Sequence, residues 1–314
     1  MIRDLTVRNF RGFEHLEVKG LGRVNLIIGR NDTGKTSLMG AAAFVEGPAA
    51  LAWAPLLGHP ALTLDDFERV WRPMLRMGRV EQGVQLETTS DTEVQHSVEI
   101  GVTVPRIRGA FEVRYMWDRN LTVWSPNGGF APPVSMGEPN WWSPSAPEPE
   151  ENLVDPLTRI YTQGNLHRVV EAMRIIQPGL ERLDIIGTTL YVVLAGSLPL
   201  PLSILGDGSR RLLEFAIPIA DNAPAAYIDE IENGFHWSTL AKVWTLLRTS
   251  TVEQTFATTH REENIRIACE NFIEAGDDGL RIVRLDRTDA GHRAVVYSAE
   301  EALAAMESGL EIRG

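Results

Sequence analysis

The stretch VNLIIGRNDTGKTS, Val24 to Ser37, decides the reading of this chain: five apolar residues run straight into the nine of Gly29 to Ser37. The nine follow the pattern G-x-x-x-x-G-K-[ST]. Gly29 and Gly34 allow the backbone to curl, so that the N–H groups from Arg30, Asn31, Asp32 and Thr33 onward point inward as a nest for phosphate oxygens. The ammonium of Lys35 reaches β- and γ-phosphates, and the Thr36 hydroxyl is suited to a Mg²⁺ ion. A helix expected from Thr36 onward brings Ser37 and the positive end of its dipole to the same place. The pattern therefore implies a nucleoside triphosphate as ligand, preceded by a buried strand and followed by a helix of small residues.

Outward from this loop, Ile2, Leu5 and Val7, then Leu16 and Val18, predict two short strands around the turn NFRGF, Asn9 to Phe13. Leu64 to Met77 reads as a helix with a bend at Pro73. Val84 to Thr88, Val94 to Val104 and Ala110 to Trp117 read as antiparallel strands. Residues 125–152, rich in Pro, Gly and Ser and carrying Trp141 and Trp142, read as an exposed loop, with partner docking through the two tryptophans as the alternative. Residues 155–197 read as a helical and strand insert: Leu166, Val169, Val170, Met173 and Ile176 at helical spacing, then strands at Leu183 to Ile186 and Leu190 to Leu194. Residues 280–314 read as a terminal hairpin and helix. No heptad pattern is long enough for a coiled coil.

A second group of motifs lies near the other end. AAYIDE, Ala225 to Glu230, is an apolar strand ending in two carboxylates: Asp229 suits a Mg²⁺ partner and Glu230 a base for an attacking water. LGDGSRRLLEFAIPIA, Leu205 to Ala220, is a Gly-rich turn opening a helix, whose first amides at Gly206, Gly208 and Ser209 can face an anion. TFATTH, Thr255 to His260, is a strand ending in a histidine that can hydrogen-bond a γ-phosphate.

The order of these four motifs resembles the ABC-type ATPase heads, and more narrowly the branch of RecF, structural-maintenance-of-chromosomes (SMC) and overcoming-lysogenization-defect (OLD) proteins. The opening IRDLTVRNFRGF is similar to that branch's start, and Asn9, Phe10 and Arg11 match its asparagine-phenylalanine-arginine turn, which implies that Arg11 approaches the nucleotide. LPLSILGDGSRRLL and YIDEIENGFH resemble most closely the stand-alone OLD-like ATPases of prokaryotes, many of them in anti-phage systems. The resemblance spans about Met1 to Val45 and Leu198 to Glu262. It departs from the transporter pattern at the signature, where Gly206, Asp207 and Gly208 stand in place of Ser-Gly-Gly, leaving Ser209 as the candidate hydroxyl. His236 and Trp237 replace the usual His-Pro. Gln82, Gln85 and Gln95 are the candidates for the glutamine that such ATPases place near Mg²⁺.

The resemblance implies a P-loop α/β fold in a single ATPase domain over 1–314, with a mostly parallel core sheet, a small antiparallel sheet and a helical region. It also implies Mg²⁺-dependent ATP binding and hydrolysis that pairs two heads, the Gly-rich segment of one closing on the nucleotide of the other. With 54 residues after His260, a nuclease or toxic effector is expected on a separate chain, in an anti-phage sensor or scaffold. The alternative is a RecF-like repair ATPase on duplex DNA; a transporter motor is disfavoured by the NFRGF opening.

Composition narrows the partners. A net charge of −12 points to weak DNA binding at physiological salt and away from anionic membranes. The lone Cys269 excludes an internal disulfide, and MIRDLTVRNF has no signal-peptide core. The most apolar run, Leu190 to Leu205, is interrupted by Pro199 and Pro201 and is shorter than a membrane span. A cytoplasmic protein is expected.

Overall fold

The computed structural model of the chain describes residues 1–45, 74–103, 112–117, 120–124, 141–143 and 149–312. Strands β1 (Ile2–Phe10) and β2 (Phe13–Lys19) form a hairpin in which Phe10 pairs with Phe13, so only Arg11 and Gly12 make the turn. Their apolar residues alternate: Leu5, Val7, Leu16 and Val18 are buried while their neighbours face out, the signature of a sheet covered on one face. β3 (Val24–Ile28) is buried on both faces, which explains its unbroken apolar run. The phosphate loop follows, then helix α1 (Lys35–Val45).

β4 (Val84–Ser90), β5 (Gln95–Thr103), β6 (Glu112–Trp117) and β7 (Asn120–Trp124) extend the hairpin into a six-stranded antiparallel sheet of order β2-β1-β4-β5-β6-β7. This sheet is as wide as the core sheet, larger than the small one expected, and β7 was not anticipated. The helix expected over 64–77 is absent from its last four residues. Arg76–Gly78 form one turn of 3-10 helix, with Met77 at a φ of 52°, while Leu75 bridges Phe10. Residues 64–73 lie outside the described residues.

The loop assigned to 125–152 is corrected at two places. β8 (Trp141–Ser143) pairs in parallel with β12 (Ala225–Ile228), joining the core sheet at its edge. Glu150 opens helix α2 (Glu150–Thr162), whose acidic first turn suits the helix dipole. Residues 125–140 and 144–148 lie outside the described residues. α3 (Leu166–Met173) follows, then β9 (Leu180–Ile186), β10 (Thr189–Leu194) and the short β11 (Leu200–Pro201), a three-stranded sheet of its own. Helix α4 (Asp207–Asp221) buries Leu213, Ala216, Ile217 and Ala220 against α2, α3 and this sheet, and Leu212 and Phe215 against the core.

The remainder completes the core: α5 (Trp237–Arg248), β13 (Gln254–Thr258), α6 (Glu262–Glu274), β14 (Leu280–Thr288), β15 (Gly291–Ser298) and α7 (Ala299–Glu307). Its sheet has the order β15-β14-β3-β13-β12-β8, parallel throughout except for β15. Every residue of α1 from Leu38 to Val45 is buried, because the helix is sandwiched between the two six-stranded sheets. Gly40 and Ala41 to Ala43 keep it thin enough to fit there. The opposite face of the core sheet, with Val24, Leu26 and Ile28, packs on α4 to α7. Cys269 lies in this layer, where burial pushes its thiol up to about 12 and leaves it unreactive. Among the described residues no helix is long and apolar enough to cross a membrane.

Candidate nucleotide-binding site

The phosphate loop bridges the C-terminal end of β3 and the first turn of α1, the crevice position where parallel α/β sheets bind ligands. Gly29 has a φ of 150°, and a Cβ there would meet the Leu285 carbonyl at 2.6 Å. Gly34 has a φ of 96°, and a Cβ there would meet the Phe13 ring at 2.7 Å. Both positions therefore require glycine, for conformation and for space. Thr33 is buried and donates its hydroxyl to the Arg30 carbonyl at 2.9 Å, fixing the loop from inside. Lys35 Nζ donates to the carbonyls of Gly29, 2.9 Å, and Arg30, 3.1 Å. Burial holds the Lys35 ammonium below its usual range, against the opposing pull of Asp229.

An open cleft of about 660 Å³ runs over this loop, lined among others by Asn31, Asp32, Gly34, Lys35, Thr36 and Ser37, by Arg11, and by Asp229 and Glu230. Motifs about 190 residues apart thus meet, since β12 and β3 both flank β13. Arg11 sits at a φ of 52°, its N–H tied to the Met74 carbonyl at 2.7 Å. Burial lowers its pKa, with Asp229 acting the other way.

Thr36 Oγ1 lies 3.4 and 3.3 Å from the two Asp229 carboxylate oxygens. A hydroxyl and a carboxylate side by side are hard oxygen donors, which fit a Mg²⁺ ion that takes its other ligands from phosphate and water. Among the described residues no cluster of three or more His, Cys, Asp or Glu could hold a metal alone.

Three further groups hold Asp229 and Glu230 in place and were not read from the sequence. Thr258 donates to Asp229 Oδ1 at 2.6 Å and accepts the Glu230 N–H at 2.8 Å, clasping both. Glu230 has a φ of 48°, unfavourable for a side chain with a Cβ, and Asn233 donates to its Oε2 at 2.6 Å. Arg211, on α4, donates to the Asp229 carbonyl at 2.6 Å and to Glu214 at 2.8 Å. Thr258 is inside the TFATTH motif and Asn233 inside YIDEIENGFH, so the motifs contained them without marking their roles.

His260 stands beyond β13 with Nδ1 3.3 Å from buried Glu232 and 3.9 Å from Glu230. Glu232 also accepts from the His260 N–H at 3.3 Å and from Asn264 at 3.2 Å. The histidine is thus carried on a buried carboxylate beside the candidate base.

The signature residues lie apart from this cleft. Gly206 caps α4 and has open space around it, whereas a Cβ on Gly208 would meet the Gly234 carbonyl at 2.6 Å. Ser209 is 3% exposed and accepts from Gln177 at 3.2 Å, so its hydroxyl is turned into its own subunit. Gln82, Gln85 and Gln95 lie at or on β4 and β5 and do not line the cleft. Arg287 and His292 do line it, from the β14–β15 hairpin, and carry no sequence motif.

A family model described as AAA ATPase domain matches residues 1–45. The ATP/GTP phosphatase of Helicobacter pylori (strain ATCC 700392 / 26695) is 22% identical over 336 residues, covering 85% of this chain and 87% of that protein. Among solved structures, an SMC head bound to the C-winged helix domain of ScpA matches with a TM-score of 0.59 at 16% identity, covering 96% of this chain and 99% of that one. The SMC head domain from Thermotoga maritima matches at 0.50 with 15% identity, covering 94% and 98%. An Smc head domain with an extended coiled coil, bound to the C-terminal domain of ScpA derived from Pyrococcus furiosus, matches at 0.58 with 13% identity, covering 98% and 98%. The chain has the α/β fold of the SMC head domains.

Proposed function

We propose that this chain is a Mg²⁺-dependent ATP hydrolase whose heads pair around ATP. The observation that carries the reading is the convergence of Lys35, Thr36, Asp229 and Glu230 on one cleft. The phosphate-loop amides and Lys35 hold the triphosphate, with Thr36 and Asp229 as the oxygen donors for the metal. A Mg²⁺ ion held by Thr36 and Asp229 would offset charge that develops during transfer. Glu230, held by Asn233 and Thr258, accepts a proton from the attacking water, and His260 sits beside it on Glu232. The name of the Helicobacter pylori relative, ATP/GTP phosphatase, agrees with this chemistry.

Pairing rests on the resemblance of the Gly206 to Ser209 segment to ABC signatures and on its place at the start of helix α4. A head-to-tail pair would bring Gly206 of one copy over the cleft of the other, with ATP between them. Because Gly206 has open space and an ordinary φ of −65°, Gly206→Asp leaves the subunit intact. Phosphate release per head in Mg-ATP should climb with protein concentration for wild type and stay low for Gly206→Asp. A rate per head that ignores both concentration and this substitution contradicts the paired mechanism. By the same resemblance, the pair serves as sensor or scaffold for a separate effector chain in a prokaryotic anti-phage system. The genes beside this one test that role: an effector supports it, a replication-repair cluster contradicts it.

A further inference from the structure

β14 pairs with β3 from Leu280 opposite Val24 to Arg284 opposite Ile28, and then continues to Thr288. The hairpin therefore overshoots the end of β3 and runs alongside the phosphate loop, with the Leu285 carbonyl pressed against Gly29. In the sheet order β15-β14-β3-β13-β12, this hairpin and the Asp229–Glu230 pair stand on opposite sides of the loop. A triphosphate with its γ-phosphate at Glu230 must send its sugar and base the other way, toward the hairpin.

Two side chains wait there. Arg287 and His292 are direct cross-strand partners and line the same cleft as Lys35. Partners in that register project from one face of the hairpin. The His292 ring stands edge-to-face on Phe13, centroids 4.9 Å apart at 88°, and Phe13 in turn packs on Gly34 of the phosphate loop. The imidazole is thereby fixed relative to the phosphates. Burial and the neighbouring Arg287 hold its pKa below the usual range, which favours the neutral ring. Arg287 is exposed and adds a planar cation beside it.

From this arrangement we propose that Arg287 and His292 form the nucleoside subsite, where the base of the bound nucleotide lies flat against the guanidinium and the imidazole. A guanidinium and an aromatic ring are the faces on which nucleobases stack. This inference rests on the nucleotide reading of the cleft, and inorganic tripolyphosphate separates the two. It has the phosphates of ATP without sugar or base.

The test measures the affinity of the full-length chain for Mg-ATP and for Mg-tripolyphosphate by titration calorimetry, in wild type, Arg287→Ala, His292→Ala and His292→Phe. Each alanine variant should weaken ATP on the order of tenfold, the scale of one lost stacking contact, and leave tripolyphosphate unchanged. Unchanged tripolyphosphate affinity also certifies that the phosphate loop is folded in each variant. His292→Phe, which keeps a flat ring, should retain ATP affinity. Parallel losses for both ligands would make the pair a phosphate contact and overturn the inference, as would ATP affinity that none of the substitutions changes. A wild type that binds ATP and tripolyphosphate equally overturns the inference alone. One that binds neither overturns the nucleotide reading as well.

Discussion

Glu230→Gln should cut the rate of ATP hydrolysis by a factor of about 10²–10⁴, the scale of a lost general base, while ATP affinity stays at the wild-type value. The substitution is isosteric, and the backbone bond from Glu230 N–H to Thr258 does not depend on the side chain. Asn233 donates to Glu230 Oε2 and can donate equally to an amide oxygen, so the side chain keeps its place. What is lost is the carboxylate that takes a proton from water. If ATP holds two heads together, a head that binds but does not hydrolyse it accumulates in the paired form. Light scattering should then give twice the monomer mass for this variant in Mg-ATP and the monomer mass without nucleotide. Wild-type turnover in Glu230→Gln would remove this residue from the chemistry.

The largest effect on stability is expected at Arg211. Its side chain is 1% exposed and its partner Glu214 is 0% exposed, so both charges are withdrawn from water. Burial pulls the guanidinium below its ordinary pKa, and Glu214 pushes it back up. Its Cζ lies 5.1 Å from the Phe215 ring centroid, and its Nη2 donates to the Asp229 carbonyl. Arg211→Ala breaks the buried ion pair with Glu214 in the layer between α4 and the core sheet, a loss of roughly 3–5 kcal/mol. At a urea dependence of about 2–3 kcal/mol per molar, the unfolding midpoint falls by roughly 1–2.5 M. Removing both charges, as Arg211→Met with Glu214→Leu, should recover part of that loss, because an apolar pair of similar volume has no charge to desolvate. The double variant should still hydrolyse ATP more slowly than wild type, since the Asp229 carbonyl has lost its donor. A single Arg211→Ala variant with an unchanged midpoint would contradict the assignment of this pair to the core.

The contrast between what was legible in the sequence and what was not is one of locality. The strand, phosphate loop and helix of Val24 to Val45 are contiguous, so the glycines, the lysine and the hydroxyls announce themselves by spacing. The Asp229–Glu230 strand end was equally local. Arg287 and His292 enter the cleft only because β14 pairs with β3, about 250 residues earlier, and no spacing in the chain encodes that. The contact of Ser209 with Gln177 was not legible either, because a Gly-rich turn reads as open and the partner lies 32 residues earlier. Trp141 to Ser143 looked like loop since three residues are too few to show a strand period, and only parallel pairing with β12 makes them one. Helix α2 was hidden by the Pro-rich segment before it, although Glu150 and Glu151 at its first turn were a usable start signal.

The hydrolase reading depends on the cleft over Gly29 to Ser37 being a triphosphate site, and Lys35→Ala tests that most directly. Lys35 Nζ rests on the Gly29 and Arg30 carbonyls, so its removal costs the loop little folding energy but takes away the ammonium aimed at the phosphates. Truncating one member of a desolvated charge pair weakens binding by at least about a hundredfold, roughly 3 kcal/mol or more. Titration of Mg-ATP into wild type should show saturable binding, and into Lys35→Ala no detectable binding at the same concentrations, with thermal unfolding of the free proteins alike. Equal affinity in the two proteins would contradict the account.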